Sequence, residues 1–146
     1  VALMARDRGG PRLLHQLLVY PVLGYDFATD SYERNAKGYG LTRNTMVWYW
    51  EQYLNSPSEA QDPYAAPLSA PSLSGLPPAL VITAEFDPLL DEGRAYAERL
   101  ANEGVVARHS MYEGTIHAFF NATAPLDGTS EAIAEATAAL RTAFAT

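Results

Sequence analysis

Two residues in this chain could do chemistry together. Asp87 follows the apolar run Leu80-Val81-Ile82-Thr83-Ala84, and His117 follows the alternating run from Val105 to Tyr112. A carboxylate and an imidazole make a general-base pair. The carboxylate fixes the imidazole tautomer and stabilises its charged form, and the imidazole takes a proton from a hydroxyl nucleophile. Each residue also has a plainer reading. Asp87 suits a helix N-terminus, where the macrodipole favours a carboxylate. His117 taken alone reads as a surface histidine. Asp91 and Glu92 read as first-turn dipole partners or loop anchors, and His15 and His109 as packed or edge residues of strands. Ser31, Ser56, Ser58, Ser69, Ser72, Ser74, Ser110 and Ser130 are nucleophiles only in principle, because none sits at a strand-to-helix turn flanked by glycines. Each reads as loop chemistry. Gly38-Tyr39-Gly40 is too slight a signal for a phosphate loop. Cysteine is absent, which excludes a disulfide framework, a thiolate metal site and a Cys nucleophile.

These residues need elements to hold them. Val1 to Arg8 reads as the last two turns of a helix, stopped by Gly9-Gly10-Pro11. A helix with a stop and no start leads to the expectation that sequence lies upstream. Leu13 to Tyr20, ended by Pro21, reads as a buried strand. Residues 22–40 read as a long loop. Thr42 caps a helix to about Leu54, with Leu41 and Met46 as a hydrophobic staple and a stripe of Met46, Val47, Trp50, Tyr53 and Leu54. Trp48 and Tyr49 lie off that stripe, so the helix is expected to bury two faces. Either could line an acyl or alcohol pocket, or belong to the core. Residues 55–78, rich in proline and serine, read as an irregular connection packed on the surface, with short turns.

The run 80–86 is the clearest buried strand. It leads through Asp87-Pro88 into a helix to about Glu103, whose inner face holds Leu89, Gly93, Tyr96, Ala97 and Leu100, with Gly104 as its stop. Residues 105–112 read as a parallel neighbour of that strand, 113–128 as a loop, and the remainder as a helix with Ile133, Thr137, Leu140 and Phe144 on its buried face. Strands alternating with helices predict an α/β fold: a mostly parallel sheet with helices on both faces. In such a sheet, function gathers at the C-terminal strand ends, where Asp87 and His117 lie.

At this point the residues match a family. Asp87-Pro88-Leu89-Leu90-Asp91-Glu92-Gly93 resembles the Asp-Pro-Leu-x-Asp-Glu-Gly segment of the hormone-sensitive-lipase-like carboxylesterases of the α/β-hydrolase superfamily. Gly114-Thr115-Ile116-His117-Ala118-Phe119 resembles their Gly-x-x-His-Gly-Phe segment. Leu18-Val19-Tyr20-Pro21 and Asp62-Pro63-Tyr64-Ala65-Ala66-Pro67-Leu68 also look like family segments. The resemblance implies that Asp87 is the acid and His117 the base of a Ser-His-Asp triad, and that residues 1–146 are the C-terminal half of one α/β-hydrolase domain. Two departures stand out. Ala118 replaces the usual glycine, a strained choice if its φ is positive. The chain also has no Gly-x-Ser-x-Gly elbow and no His-Gly-Gly-Gly oxyanion segment; both are expected upstream of Val1.

The implied activity is hydrolysis of short to medium acyl carboxylic esters, with no metal or organic cofactor. The rivals are an amidase or lactonase using the same triad, and a non-catalytic fragment or interaction module. The expected partners are a small-molecule ester, the N-terminal half of the same protein, and a second copy paired through the edge strand 105–112 and the final helix. A net charge of -7 argues against a nucleic-acid partner. No run of 18 apolar residues spans a membrane, and no signal-peptide pattern opens the chain, so a cytoplasmic location is expected.

Overall fold

Three apolar runs become three parallel strands, seen in a computed structural model that describes residues 1–121 and 127–145. Strand β1 (Gln16–Val19) pairs with β2 (Ala79–Phe86), which pairs with β3 (Ala107–Ile116), all in parallel. The helices are α1 (Ala2–Asp7), α2 (Asp30–Arg34), α3 (Arg43–Tyr53), α4 (Leu90–Asn102) and α5 (Asp127–Phe144). No helix among the described residues is long and apolar enough to cross a membrane.

Alternation along β2 assigns the two faces of the sheet. Ala79 and Val81 pack with Leu3, Tyr96, Ala97 and Leu100, which places α1 and α4 on one side. Leu80, Ile82 and Ala84 pack with Phe119, Ala132 and Ala136, which places α5 on the other. A third cluster, Tyr32, Met46, Trp50, Ala66 and Leu89, sits where α2 and α3 meet the start of α4.

Several elements match their sequence signals. Thr42 Oγ1 accepts from Thr45 N at 3.1 Å, and Leu41 packs on the cluster that holds Met46. Gly104 adopts φ +81 just past α4, as a left-handed stop requires. The 55–78 connection contains two 3₁₀ turns, Pro57–Gln61 and Pro67–Ser69. It is tied down by Arg99, which donates to Leu68 O and Ala70 O, and by Glu103, which accepts from Ser72 Oγ and Leu73 N. Those donors hold the Glu103 carboxyl down to about 2.

Other expectations need correction. Residues 22–40 are not all loop: Thr29 Oγ1 accepts from Tyr32 N and caps α2. β1 is shorter than the apolar run that announced it. α3 buries one face only, with Met46 and Trp50 inside and Trp48, Tyr49 and Tyr53 exposed. α5 turns the other way from the expected one. Ala132 and Ala136 are buried, whereas Ile133 and Phe144 are 44% and 67% exposed, and Thr137 faces outward as well. Small side chains let this helix lie close to the sheet, where Ser110 and Tyr112 donate to Glu135, so size misled the assignment of its face.

β3 also runs past its expected end. Between the pairs Ala84↔Tyr112 and Phe86↔Ile116 the register shifts, so four steps along β3 match two along β2. Gly114 takes φ +69 within this bulge, and Glu85 Oε2 accepts its N–H at 2.7 Å. Of the expected loop 113–128, residues 113–116 are therefore strand, 119–121 form a 3₁₀ turn, and 122–126 lie outside the described residues.

Packing between α4 and the sheet is tight at one point. A Cβ on Gly93 would sit 2.6 Å from Thr83 Cγ2. Thr83 cannot swing aside, because it is fully buried and its Oγ1 lies 2.8 Å from His109 Nε2. Gly93→Ala is expected to destabilise the fold by about 1–3 kcal/mol through overpacking, read as a lower urea midpoint at unchanged slope.

Candidate active site

Asp87 stands at the C-terminal end of β2 with no exposed surface. A buried carboxylate needs donors, and among the described residues it has two. Its Oδ1 accepts from Leu89 N at 2.9 Å, and its Oδ2 meets His117 Nδ1 at 2.7 Å. Asn35, itself buried, donates from Nδ2 to the Asp87 carbonyl at 3.2 Å, so α2 braces the end of β2. His117 reaches Asp87 because the bulge carries β3 onward before the chain turns. A carboxylate only accepts, so Nδ1 carries the proton and donates, which leaves the Nε2 lone pair available as a base.

The imidazole is also packed against an aromatic ring, and the chain after it is fixed. The Tyr20 ring lies 4.5 Å from it, centroid to centroid, tilted by 54°. Burial, with help from the Asp87 charge, pushes the Tyr20 phenol up. Just after His117, Ala118 takes φ +69, the left-handed conformation that a glycine would adopt at less cost. That turn drops Phe119 into the cluster under α5, and Thr129 Oγ1 locks it by donating to Phe119 O at 2.8 Å.

His117 also forms part of the wall of a pocket of about 390 Å³. The other walls are Val22, Leu41, Met46, Tyr49, Trp50, Tyr53, Ala65 and Leu89, an apolar lining with aromatic rings on one side. Of the expected substrate-binding pair, Tyr49 lines this pocket. Trp48 is not among the lining residues; its ring lies 5.3 Å from that of Tyr49. The serines judged unsuitable as nucleophiles are engaged elsewhere: Ser31 Oγ donates to Pro88 O, Ser69 Oγ to Ala66 O and Ser110 Oγ to Glu135. Among the described residues, no group of His, Asp and Glu is placed to hold a metal ion.

The first turn of α4 anchors three segments through three carboxylates. Asp87, just ahead of it, holds His117. Asp91 accepts from Ser31 N at 2.7 Å and from Arg94 at 2.8 Å. Glu92, 5% exposed, accepts from Leu23 N at 3.2 Å and Gly24 N at 2.7 Å through one oxygen. Asp91 and Glu92 are thus loop anchors, one of their two sequence readings. Sequence reasoning missed Tyr20, which looked like the last residue of a strand, and Asn35, for which no local pattern gave a signal. The pocket walls Met46, Trp50 and Tyr53 were visible as a helical stripe but looked like core.

Comparison with known proteins places this geometry. The chain matches the family model described as the alpha/beta hydrolase fold over residues 1–121. The arylesterase of Saccharolobus solfataricus is 41% identical over 119 residues, covering 81% of this chain and 39% of that protein. Carboxylesterase NlhH of Mycobacterium tuberculosis is 37% identical over 148 residues, covering 99% of this chain and 46% of that protein. The solved hyperthermophilic esterase from the archaeon Pyrobaculum calidifontis superposes with a TM-score of 0.91 at 42% identity, over 97% of this chain and 47% of its own. The chain spans less than half the length of each of these relatives.

The strain at residue 118 is directly measurable. Ala118→Gly is expected to raise stability by about 1 kcal/mol, because the left-handed conformation then costs little. The check is a shift of the thermal midpoint upward; a shift downward would mean that the alanine methyl packs usefully there.

Proposed function

The chain belongs to the α/β-hydrolase fold family, and from that premise we propose that it carries the acid and base of a serine carboxylesterase. On this reading residues 1–146 are the C-terminal half of one hydrolase domain. The attacking serine and the oxyanion donors come from outside these residues. One observation carries the reading: a carboxylate with no exposed surface sits 2.7 Å from a histidine that lines an apolar pocket.

The chemistry follows from the tautomer. Asp87 keeps the proton on Nδ1, so Nε2 of His117 takes the proton of the serine hydroxyl as it attacks the ester carbonyl. Backbone donors outside this chain stabilise the oxyanion. His117, now charged and stabilised by Asp87, gives its proton to the departing alcohol. The same pair then activates water to release the acid. The pocket beside His117 takes an apolar portion of a short to medium acyl ester, with Tyr49 as a wall and Trp48 behind it. This chemistry requires no metal and no organic cofactor.

We also propose a homodimer through β3 and α5. β3 lies at the edge of the described sheet, with Val106 78% exposed, and α5 turns Ile133 and Phe144 outward. Arg108, a charge on this edge, pairs with Glu135 at 2.9 Å. A two-fold contact needs only one self-complementary patch.

In the catalytically complete protein, His117→Ala is expected to lower kcat on a short-acyl p-nitrophenyl ester by roughly 10³-fold or more, with Asp87→Asn also severe. Asp91→Asn should cost far less, since Asp91 anchors α2 rather than the imidazole. Equal damage from Asp91→Asn and Asp87→Asn would sink the assignment of the acid. For the assembly, light scattering at micromolar concentration should give a dimer that Val106→Lys converts to a monomer. A wild-type monomer rules the dimer out.

A further inference from the structure

One wall of the pocket that His117 lines has no regular structure to hold it. Val22, which lines the pocket, and Tyr25, whose ring lies 5.3 Å from that of Trp50, belong to a stretch between β1 and α2 that joins no sheet or helix. Tyr20 is anchored separately, by Tyr20 N donating to Ile82 O at 2.7 Å. From Val22 to Tyr25, Leu68 N donates to Leu23 O, and the Leu23 and Gly24 amides donate to Glu92. Gly24 packs directly on that carboxyl: a Cβ there would stand 3.3 Å from Glu92 Oε2.

We propose that Glu92 is a positioning residue for the hydrolysis, one that sets the shape of the substrate pocket by holding Val22 to Tyr25 through the Leu23 and Gly24 amides. The inference rests on the esterase reading above and extends it to a residue remote from the reacting atoms.

The hydrogen bonding shows the state in which Glu92 does this. Both amides converge on Oε2, while Oε1 is buried and has no hydrogen-bond partner among the described residues. A neutral acid fits that asymmetry, with its carbonyl oxygen accepting twice and its hydroxyl on the other side. An ionised carboxylate would leave half its charge unsolvated. The titratable groups that face it are Asp87 at the end of β2, Asp26 on the same loop and Tyr32 in α2, and none of the three is a cation. Burial pushes the Glu92 carboxyl up to about 8, with the two amides pulling against it and the Asp87 and Asp26 charges adding to it. The folded-state value thus lies above that of an unfolded glutamate. Its contribution to stability is full below about 4.5 and declines as pH rises through about 8.

Three variants and two readouts test the proposal. In the catalytically complete protein, Glu92→Gln keeps a carbonyl at the same reach and should hold KM within roughly twofold of wild type. Glu92→Asp is one methylene short of the two amides and should raise KM roughly tenfold, with kcat changed far less. An Asp variant with wild-type KM, or one that loses kcat at intact KM, overturns the proposal. Gln behaving like Asp overturns it as well. The second readout needs no turnover: the backbone amide resonance of Gly24 in glycine-labelled protein. It should move with pH in wild type, with a midpoint near 8, and stay flat in Glu92→Gln and Glu92→Ala. A Gly24 resonance that ignores both pH and substitution removes the contact and the proposal with it. If no form hydrolyses esters, the esterase reading fails, and the Gly24 titration still decides whether Glu92 holds the loop.

Discussion

A carboxylate with no exposed surface is the constraint on which this structure turns. An isolated buried charge is costly, and a protein avoids that cost by surrounding the group with donors. Asp87 has Leu89 N on one oxygen and His117 Nδ1 on the other. Meeting that need shapes the surrounding elements. β2 must end where α4 begins, so that the first turn folds back onto the carboxylate. β3 must overrun its neighbour through a bulge to bring His117 within reach. Residue 118 must then turn left-handed to send Phe119 into the core. The same contact that satisfies the carboxylate selects the imidazole tautomer, so solvation and tautomer have one solution.

Much of this was legible beforehand, for physical reasons. The buried strand 79–86 announces itself because a central strand covered on both faces reads as a continuous apolar run. Asp87 and His117 were visible because they follow two such runs, and parallel pairing carries both strand ends to one edge. Asp91 and Glu92 were recognisable as anchors, although the segments they anchor were not. The failures have a common cause. Side-chain size points to the wrong face of α5, because the helix approaches the sheet through Ala132 and Ala136, and close approach favours small residues. Alternation ends at Tyr112 although β3 continues to Ile116, because a bulge breaks the pattern on which strand assignment depends. Asn35 and Tyr20 reach the site only through tertiary contacts, which no local period encodes.

The pocket illustrates a similar ambiguity. Met46, Trp50 and Tyr53 form a stripe that reads as core, and Met46 and Trp50 are indeed buried in the cluster with Leu89. They also line a cavity shared with His117. An apolar wall and an apolar core have the same sequence signature, because both exclude water. Only the placement of the cavity next to the imidazole separates them.

The first turn of α4 ties His117, α2 and the Leu23–Gly24 backbone to points within a few residues of one another. The spacing of these three tethers is set by the short turn from Asp87 into one helix and not by the length of any long loop. Exposed positions between the tethers are therefore free to drift in sequence while Asp87 stays in register with His117. For anyone reshaping this scaffold, the exposed turn at Lys37-Gly38 is where insertions belong, and the turn from Asp87 to Gly93 is the part to leave alone.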